Sequence, residues 1–288
     1  MERSLQVTNY IFHYYASGNS SHPAILFLHG FMGDRYEFKE VIARLCERFY
    51  CLAIDLPGHG ETQVTGGDRN FEMMPTANGI VQFLEALNIG QCFLVGYSMG
   101  GRLALYLTLY FPQYFRKAVL ESASPGLKTE MERIERLQSD RKLARELENG
   151  DLFSFLVRWY NQALFASTKA HPDFERMLAK RSQNSPTNLA KSLCNLSTGK
   201  QPSLWDKLQN NQIPLLLLAG ELDRKFVALN TEMVYVSGSE RTKENPVRLE
   251  IISNCGHNIH FENPAIFTPQ VSDFLSRSSG EAFPYSLA

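Results

Sequence analysis

The stretch Gly96-Tyr97-Ser98-Met99-Gly100 decides the fold. It follows an apolar run, Cys92-Phe93-Leu94-Val95, and precedes a helical pattern, Gly101-Arg102-Leu103-Ala104-Leu105-Tyr106-Leu107. A Gly-x-Ser-x-Gly between a strand and a helix predicts a sharp turn that lifts a serine hydroxyl above a sheet edge. Such a turn strains the serine's backbone, and glycines two residues to either side remove side chains that would collide there. The helix that follows offers free N–H groups, which favour negative charge beside the hydroxyl. Ser98 therefore reads as an activated nucleophile or base in preference to a plain turn serine.

Outward from the turn, the chain alternates strands and helices. Residues 5–15, 25–28, 50–54, 92–95 and 117–121 read as strands; residues 36–48 and 74–87 read as helices, the first with Phe38, Val41, Ile42 and Leu45 on one face. This order predicts an α/β fold with a mostly parallel sheet flanked by helices, whose working residues collect beyond the C-terminal strand ends. Loops starting at His29, Asp55 and Gly96 all leave from there. From residue 127 to 208 the pattern turns charged and helical: Ile134, Leu137, Leu143 and Leu147 suit one helix, and Phe155, Leu156, Trp159 and Tyr160 a second. We read residues 1–126 as the first part of an α/β core, 127–208 as an inserted helical cap and 209–277 as the second part of the core. The second part holds strands at 213–219 and 247–252 and a helix at 264–274, and residues 278–288 form a tail.

Composition bounds the partners. The 288 residues are 44% hydrophobic and 20% charged with a formal net charge of −1, so neither nucleic acid nor an anionic membrane is expected as a partner. Residues 1–15 lack the apolar core of a signal peptide, and no apolar run is long enough to span a bilayer. The odd set Cys46, Cys51, Cys92, Cys194 and Cys255 has no metal-ligand spacing and reads as reduced thiols. A cytoplasmic protein, monomeric or a small homo-oligomer, is expected.

A serine hydroxyl needs an imidazole to take its proton, and the imidazole needs an acid to hold its tautomer. In this architecture they follow in the order serine, acid, histidine. Asp223 and His257 lie just after the last two predicted strands, where the fold brings them to Ser98. Glu221 is a second choice for the acid, and Asp55 ends the wrong strand and fixes its own turn. His260 makes an HxxH pair with His257 but lacks a third metal ligand, while His29 and His59 shape their loops. The N–H groups of Met99 and Phe31 are the expected oxyanion donors. Together these predict an α/β-hydrolase fold, which hosts many chemistries. Arg102, one helical turn after Ser98, faces the reaction centre or pairs with a structural carboxylate; position alone leaves both open.

Longer motifs narrow the choice. Gly96 to Ala104, Glu121-Ser122-Ala123-Ser124-Pro125-Gly126-Leu127, Arg136-Leu137-Gln138-Ser139-Asp140-Arg141, Trp159-Tyr160-Asn161-Gln162, Phe165-Ala166-Ser167 and Arg181-Ser182 carry a resemblance. So do Gly220-Glu221-Leu222-Asp223-Arg224-Lys225-Phe226 and the run Gly256 to Pro264. Over residues 25–275 the chain resembles the 2-succinyl-6-hydroxy-2,4-cyclohexadiene-1-carboxylate synthases, lyases of menaquinone and phylloquinone biosynthesis. The resemblance implies a triad of Ser98, Asp223 and His257, with Tyr97, Arg102, Arg136, Trp159 and Arg181 at substrate-contacting positions. It implies a small substrate with several carboxylates, which suits arginine's planar fork, and no cofactor or metal. Residues 236–244 and the chain beyond 275 depart from the pattern. A serine hydrolase of small carboxylated esters or carbon–carbon bonds, and a non-catalytic binding relative, are the competing readings.

Overall fold

The computed structural model describes residues 1–238 and 247–277. The expected tail at 278–288, and residues 239–244 of the departing stretch, lie outside them. Residues 5–15 form a hairpin instead of one strand: β1 (Glu2–Val7) pairs antiparallel with β2 (Tyr10–Ser17). The sequence marks this break, because apolar residues fall on odd positions at Leu5 and Val7 and on even positions at Tyr10, Phe12 and Tyr14. A change of phase across Thr8-Asn9 is what a two-residue turn requires: it pairs Val7 with Tyr10 and Leu5 with Phe12, so the apolar side chains of both strands share one face.

The remaining strands are β3 (Ala24–Leu28), β4 (Tyr50–Ile54), β5 (Gln63–Val64), β6 (Cys92–Tyr97), β7 (Phe115–Glu121), β8 (Leu215–Gly220) and β9 (Val247–Ile252). They build one sheet in the order β1-β2-β4-β3-β6-β7-β8-β9, with β5 paired to β2. Every pair from β4 to β9 is parallel, and β2 is antiparallel to β4. β3, β6 and β8 are buried along their whole length, as strands covered on both faces must be.

Two apolar layers cover the sheet. α1 (Lys39–Leu45) contributes Val41, Ile42 and Leu45 to one face. α2 (Met73–Ala86) and α3 (Met99–Tyr110) contribute Ile80, Leu84, Leu103 and Leu107 to the other. α1 is shorter than the predicted 36–48 because the Asp34 side chain accepts the Tyr36 N–H at 2.8 Å, a local turn that competes with helix.

Between β7 and β8 run α4 (Glu130–Asn149), α5 (Leu152–Tyr160), α6 (Ala166–Ala170), α7 (Phe174–Arg181) and α8 (Pro186–Asn195). A capping box between Thr129 and Glu132 starts α4. These helices gather a third apolar core from Leu147, Phe155, Leu156, Phe165, Leu178 and Leu189, joined to the sheet unit through Met32. Three helices complete the described chain: α9 (Arg224–Ser237), α10 (Ile259–Glu262) and α11 (Pro264–Ser276). None of the described helices is long and apolar enough to cross a membrane.

The elbow is held by contact as well as by dihedral angle. A Cβ on Gly100 would lie 2.2 Å from the Leu28 carbonyl oxygen, so α3 crosses β3 at a distance only glycine permits. Gly100→Ala is expected to destabilise the fold by about 3 kcal/mol, because the obstacle is backbone. Urea unfolding checks this; a midpoint equal to wild type would contradict it.

Candidate active site

Ser98 sits between β6 and α3 with φ 50° and ψ −107°, a conformation rare for a residue with a Cβ. Its backbone N–H donates to the Glu121 carbonyl at 2.9 Å, which ties the turn to β7. Its Oγ lies 3.0 Å from His257 Nε2, and His257 Nδ1 lies 2.6 Å from Asp223 Oδ2. The three residues from loops after β6, β8 and β9 thus form one hydrogen-bonded line.

Each partner is anchored in turn. Asp223 caps α9, its Oδ1 accepting the Phe226 N–H at 3.3 Å. The His257 carbonyl accepts from Ser122 Oγ at 2.9 Å, and its ring packs against Phe226, Tyr97 and Phe165. Glu221, the second choice for the acid, instead accepts the Asn254 N–H at 3.0 Å. Glu262 accepts from the Gly256 N–H at 2.6 Å and from Ser167 and Thr168 of α6 at 3.0 and 2.6 Å, so it clamps the histidine loop to the inserted helices.

The first loop is equally fixed. His29 Nδ1 lies 2.7 Å from the Gly30 carbonyl, and its Nε2 accepts the Leu56 N–H at 2.9 Å. Burial pushes the His29 pKa down, so the ring is neutral and carries its proton on Nδ1. That bond orients the peptide whose N–H belongs to Phe31. Met99 opens α3, so its N–H is among the donors the helix leaves unpaired. Asp55 fixes its own turn, accepting the N–H groups of Arg35 and Glu61 and pairing with the Arg35 guanidinium.

The five residues marked for substrate fall into three places. Arg102 and Arg136 come together. Arg102 Nη1 donates to Gln201 Oε1 at 2.8 Å and Nη2 to the Leu196 carbonyl at 2.7 Å, both neutral acceptors. Arg136 Nε reaches both Asp140 oxygens at 2.8 and 2.9 Å. Burial and the nearby Arg136 charge push the Arg102 pKa down to about 10, with Asp140 opposing. Trp159 takes the second place, its ring 5.4 Å from Phe31 and stacked on Phe155.

Tyr97 and Arg181 lie beneath the site. Tyr97 is 4% exposed, between Gly30 and the rings of His257 and His260, because as the last residue of a buried strand it points into the layer under the loop. Arg181 is 5% exposed and its charge is met by Glu37 at 2.7 Å. It approaches the site through the Phe31 carbonyl, 2.9 Å from Nη1. Sequence reasoning missed Glu37, Asp140, Gln201 and Glu262. Of these, only Asp140 carried a local signal, one helical turn from Arg136.

The comparisons place this geometry. Residues 23–264 match the family described as the alpha/beta hydrolase fold, the class that sheet, elbow and triad define. The chain is 34% identical over 260 residues to a 2-succinyl-6-hydroxy-2,4-cyclohexadiene-1-carboxylate synthase from Serratia proteamaculans (strain 568), covering 90% of this chain and 95% of that one. Against Protein PHYLLO, chloroplastic, from Arabidopsis thaliana, it is 34% identical over 267 residues, 90% of this chain but only 16% of that much longer protein. A solved structure described as MenH from S. aureus superimposes with a TM-score of 0.83 at 32% identity, covering 93% of this chain and 98% of that one. The chain belongs to the 2-succinyl-6-hydroxy-2,4-cyclohexadiene-1-carboxylate synthase family.

Proposed function

We propose that this protein is a lyase that eliminates pyruvate from 2-succinyl-5-enolpyruvyl-6-hydroxy-3-cyclohexene-1-carboxylate, giving 2-succinyl-6-hydroxy-2,4-cyclohexadiene-1-carboxylate. The carrying observation is an assembled Ser98–His257–Asp223 line with, one helical turn on, an arginine whose hydrogen bonds among the described residues go to neutral oxygens. A triad by itself serves hydrolysis equally well. An arginine whose hydrogen bonds go to neutral oxygens favours a substrate that brings its own carboxylates. The family's reaction has such a substrate.

In this reading the Ser98–His257 pair removes a ring proton and Asp223 stabilises the imidazolium that results. Negative charge develops on the succinyl carbonyl oxygen, where the N–H groups of Phe31 and Met99 receive it. The carbon–oxygen bond to the enolpyruvyl group then breaks. The leaving enolate takes a proton at carbon, which balances the one removed from the ring, and departs as pyruvate. No acyl-enzyme forms. Arg102 and Arg136 bind substrate carboxylates, and Trp159 closes the site above Phe31 within a cap spanning residues 127–208. Tyr97 and Arg181 support the site from below. The enzyme works in the cytoplasm as a monomer or small homo-oligomer, with no nucleic acid or membrane partner; five free cysteines support that setting.

The test is release of pyruvate from freshly generated substrate, followed through lactate dehydrogenase. Release well above the spontaneous rate, with little activity on p-nitrophenyl esters, is the expected outcome. Release at the spontaneous rate would exclude the lyase and point to ester or carbon–carbon hydrolysis.

A further inference from the structure

Behind the site runs a row of buried ionisable side chains that the proposed reaction does not use. Glu121 is 0% exposed, His260 2% and Arg181 5%, and the Glu37 side chain is 8% exposed. Glu121 Oε2 lies 2.6 Å from His260 Nδ1, and its Oε1 accepts the His260 N–H at 3.1 Å. On the other side of the ring, His260 Nε2 is 3.4 Å from Glu37 Oε1, an ion-pair contact. The same Glu37 oxygen accepts from Arg181 Nη2 at 2.7 Å, and Arg181 Nη1 donates to the Phe31 carbonyl at 2.9 Å. At the far end, the Glu121 carbonyl accepts the Ser98 N–H at 2.9 Å.

The row therefore starts at the elbow, passes through the helix that follows His257, and ends on the loop that carries Phe31. Burying four charges is costly unless they balance. Two carboxylates require two cations, and Arg181 supplies one. His260 supplies the other: burial alone would push its pKa down, but Glu121 and Glu37 raise it to about 9. Glu37 is held below the usual carboxylate range, since Arg181 and His260 outweigh its burial. The groups around the His260 ring are Glu121 from β7, Glu37 from the segment before α1 and Arg181 of α7 behind Glu37. Tyr97 of β6 lies 4.9 Å away, with Phe38 at 4.2 Å and Phe267 of α11 at 5.8 Å. Tyr97 stays neutral, because burial pushes its pKa up.

We propose that Glu121, His260, Glu37 and Arg181 are positioning residues, a buried ionic strut that fixes Phe31, through its carbonyl, relative to Ser98 and His257. The proposal rests on reading Phe31 as an oxyanion donor. Its consequence is a pH dependence of definite sign. Below about pH 9 the strut is balanced; above it His260 is neutral, two carboxylates face one guanidinium, and Phe31 loosens. Turnover then falls while substrate affinity holds. The same proton contributes stability that is complete below about pH 6.5 and lost as pH rises through about 9. Removing the Glu37 charge takes away one of the groups raising the His260 pKa, so the midpoint moves down.

The experiment measures phosphonylation of Ser98 by a fluorophosphonate, and pyruvate release, from about pH 6 to about pH 10.5. It uses the full chain of wild type, Glu37→Gln and Glu37→Asp, each with its thermal midpoint. Glu37→Gln is expected to slow phosphonylation and kcat by about 10- to 100-fold with KM within about threefold. Its basic midpoint should lie at least about one pH unit lower, and Glu37→Asp should recover most of the loss. A folded Glu37→Gln within about twofold of wild type at every pH, or one slowed with no movement of the basic limb, overturns the proposal. If Glu37→Gln does not fold, the wild-type profile decides: a falling limb near pH 9 supports the strut, and a flat profile overturns it. Phosphonylation does not depend on which substrate the site turns over. A wild type that releases no pyruvate would therefore refute the lyase reading and leave this test intact.

Discussion

Ser98→Ala is expected to lower kcat for pyruvate release by about 10³- to 10⁴-fold while leaving KM within about threefold. The hydroxyl is 3.0 Å from His257 Nε2 and, among the described residues, on no other hydrogen-bond path, so alanine removes the group through which the proton leaves without disturbing its neighbours. His257→Asn is expected to cost a comparable factor, and the double variant little more than either single one, because the two act as a unit. Asp223→Asn also belongs in this set. The carboxylate 2.6 Å from Nδ1 fixes the tautomer that leaves Nε2 free to accept, and an amide there allows the wrong one. Pyruvate release in the coupled assay measures all four. A Ser98→Ala enzyme that keeps more than about a tenth of wild-type kcat would remove the serine from the proton path and leave His257 as the base.

The parts of this site that the sequence made legible are those whose signal is local. The elbow announces itself through glycines two residues away from Ser98. Asp223 and His257 are legible because chain order and strand ends constrain where a triad can form. Arg102 was half legible: helical spacing placed it one turn from Ser98, but that its acceptors are Gln201 and Leu196 depends on contacts 99 and 94 residues away. The strut was not legible at all, since His260 meets Glu121 across 139 residues and Arg181 meets Glu37 across 144. His260 stands out in sequence only as a neighbour of His257, a spacing that suggests metal as readily as structure. The hairpin of β1 and β2 was legible in principle, through the phase change at Thr8-Asn9, yet two short apolar alternations on either side of it resemble one long strand.

Arg102→Ala is expected to reduce kcat/KM for the carboxylated substrate by about 30- to 1,000-fold, chiefly through KM, which is the loss of one charge-assisted pair worth about 2–4 kcal/mol. The reason is an imbalance of charge. Arg102 is half-buried and both its acceptors are neutral oxygens. Asp140, the carboxylate that supports the Arg102 charge, is committed to Arg136 and to Ser197 Oγ at 2.6 Å. Burial and the neighbouring Arg136 charge act against the guanidinium, so the pair of arginines is held at an energetic cost that a bound carboxylate relieves. Arg102→Lys should restore only part of the loss, since an ammonium cannot offer the planar fork. A second readout separates binding from scaffolding. A small dicarboxylate such as succinate should raise the thermal midpoint of wild type in proportion to its occupancy and leave that of Arg102→Ala unmoved. Were the two proteins stabilised equally, Arg102 would be a structural arginine and the substrate's carboxylates would have to be met by Arg136. Its Nε is occupied by Asp140, but its side chain is 41% exposed and so remains open to a ligand.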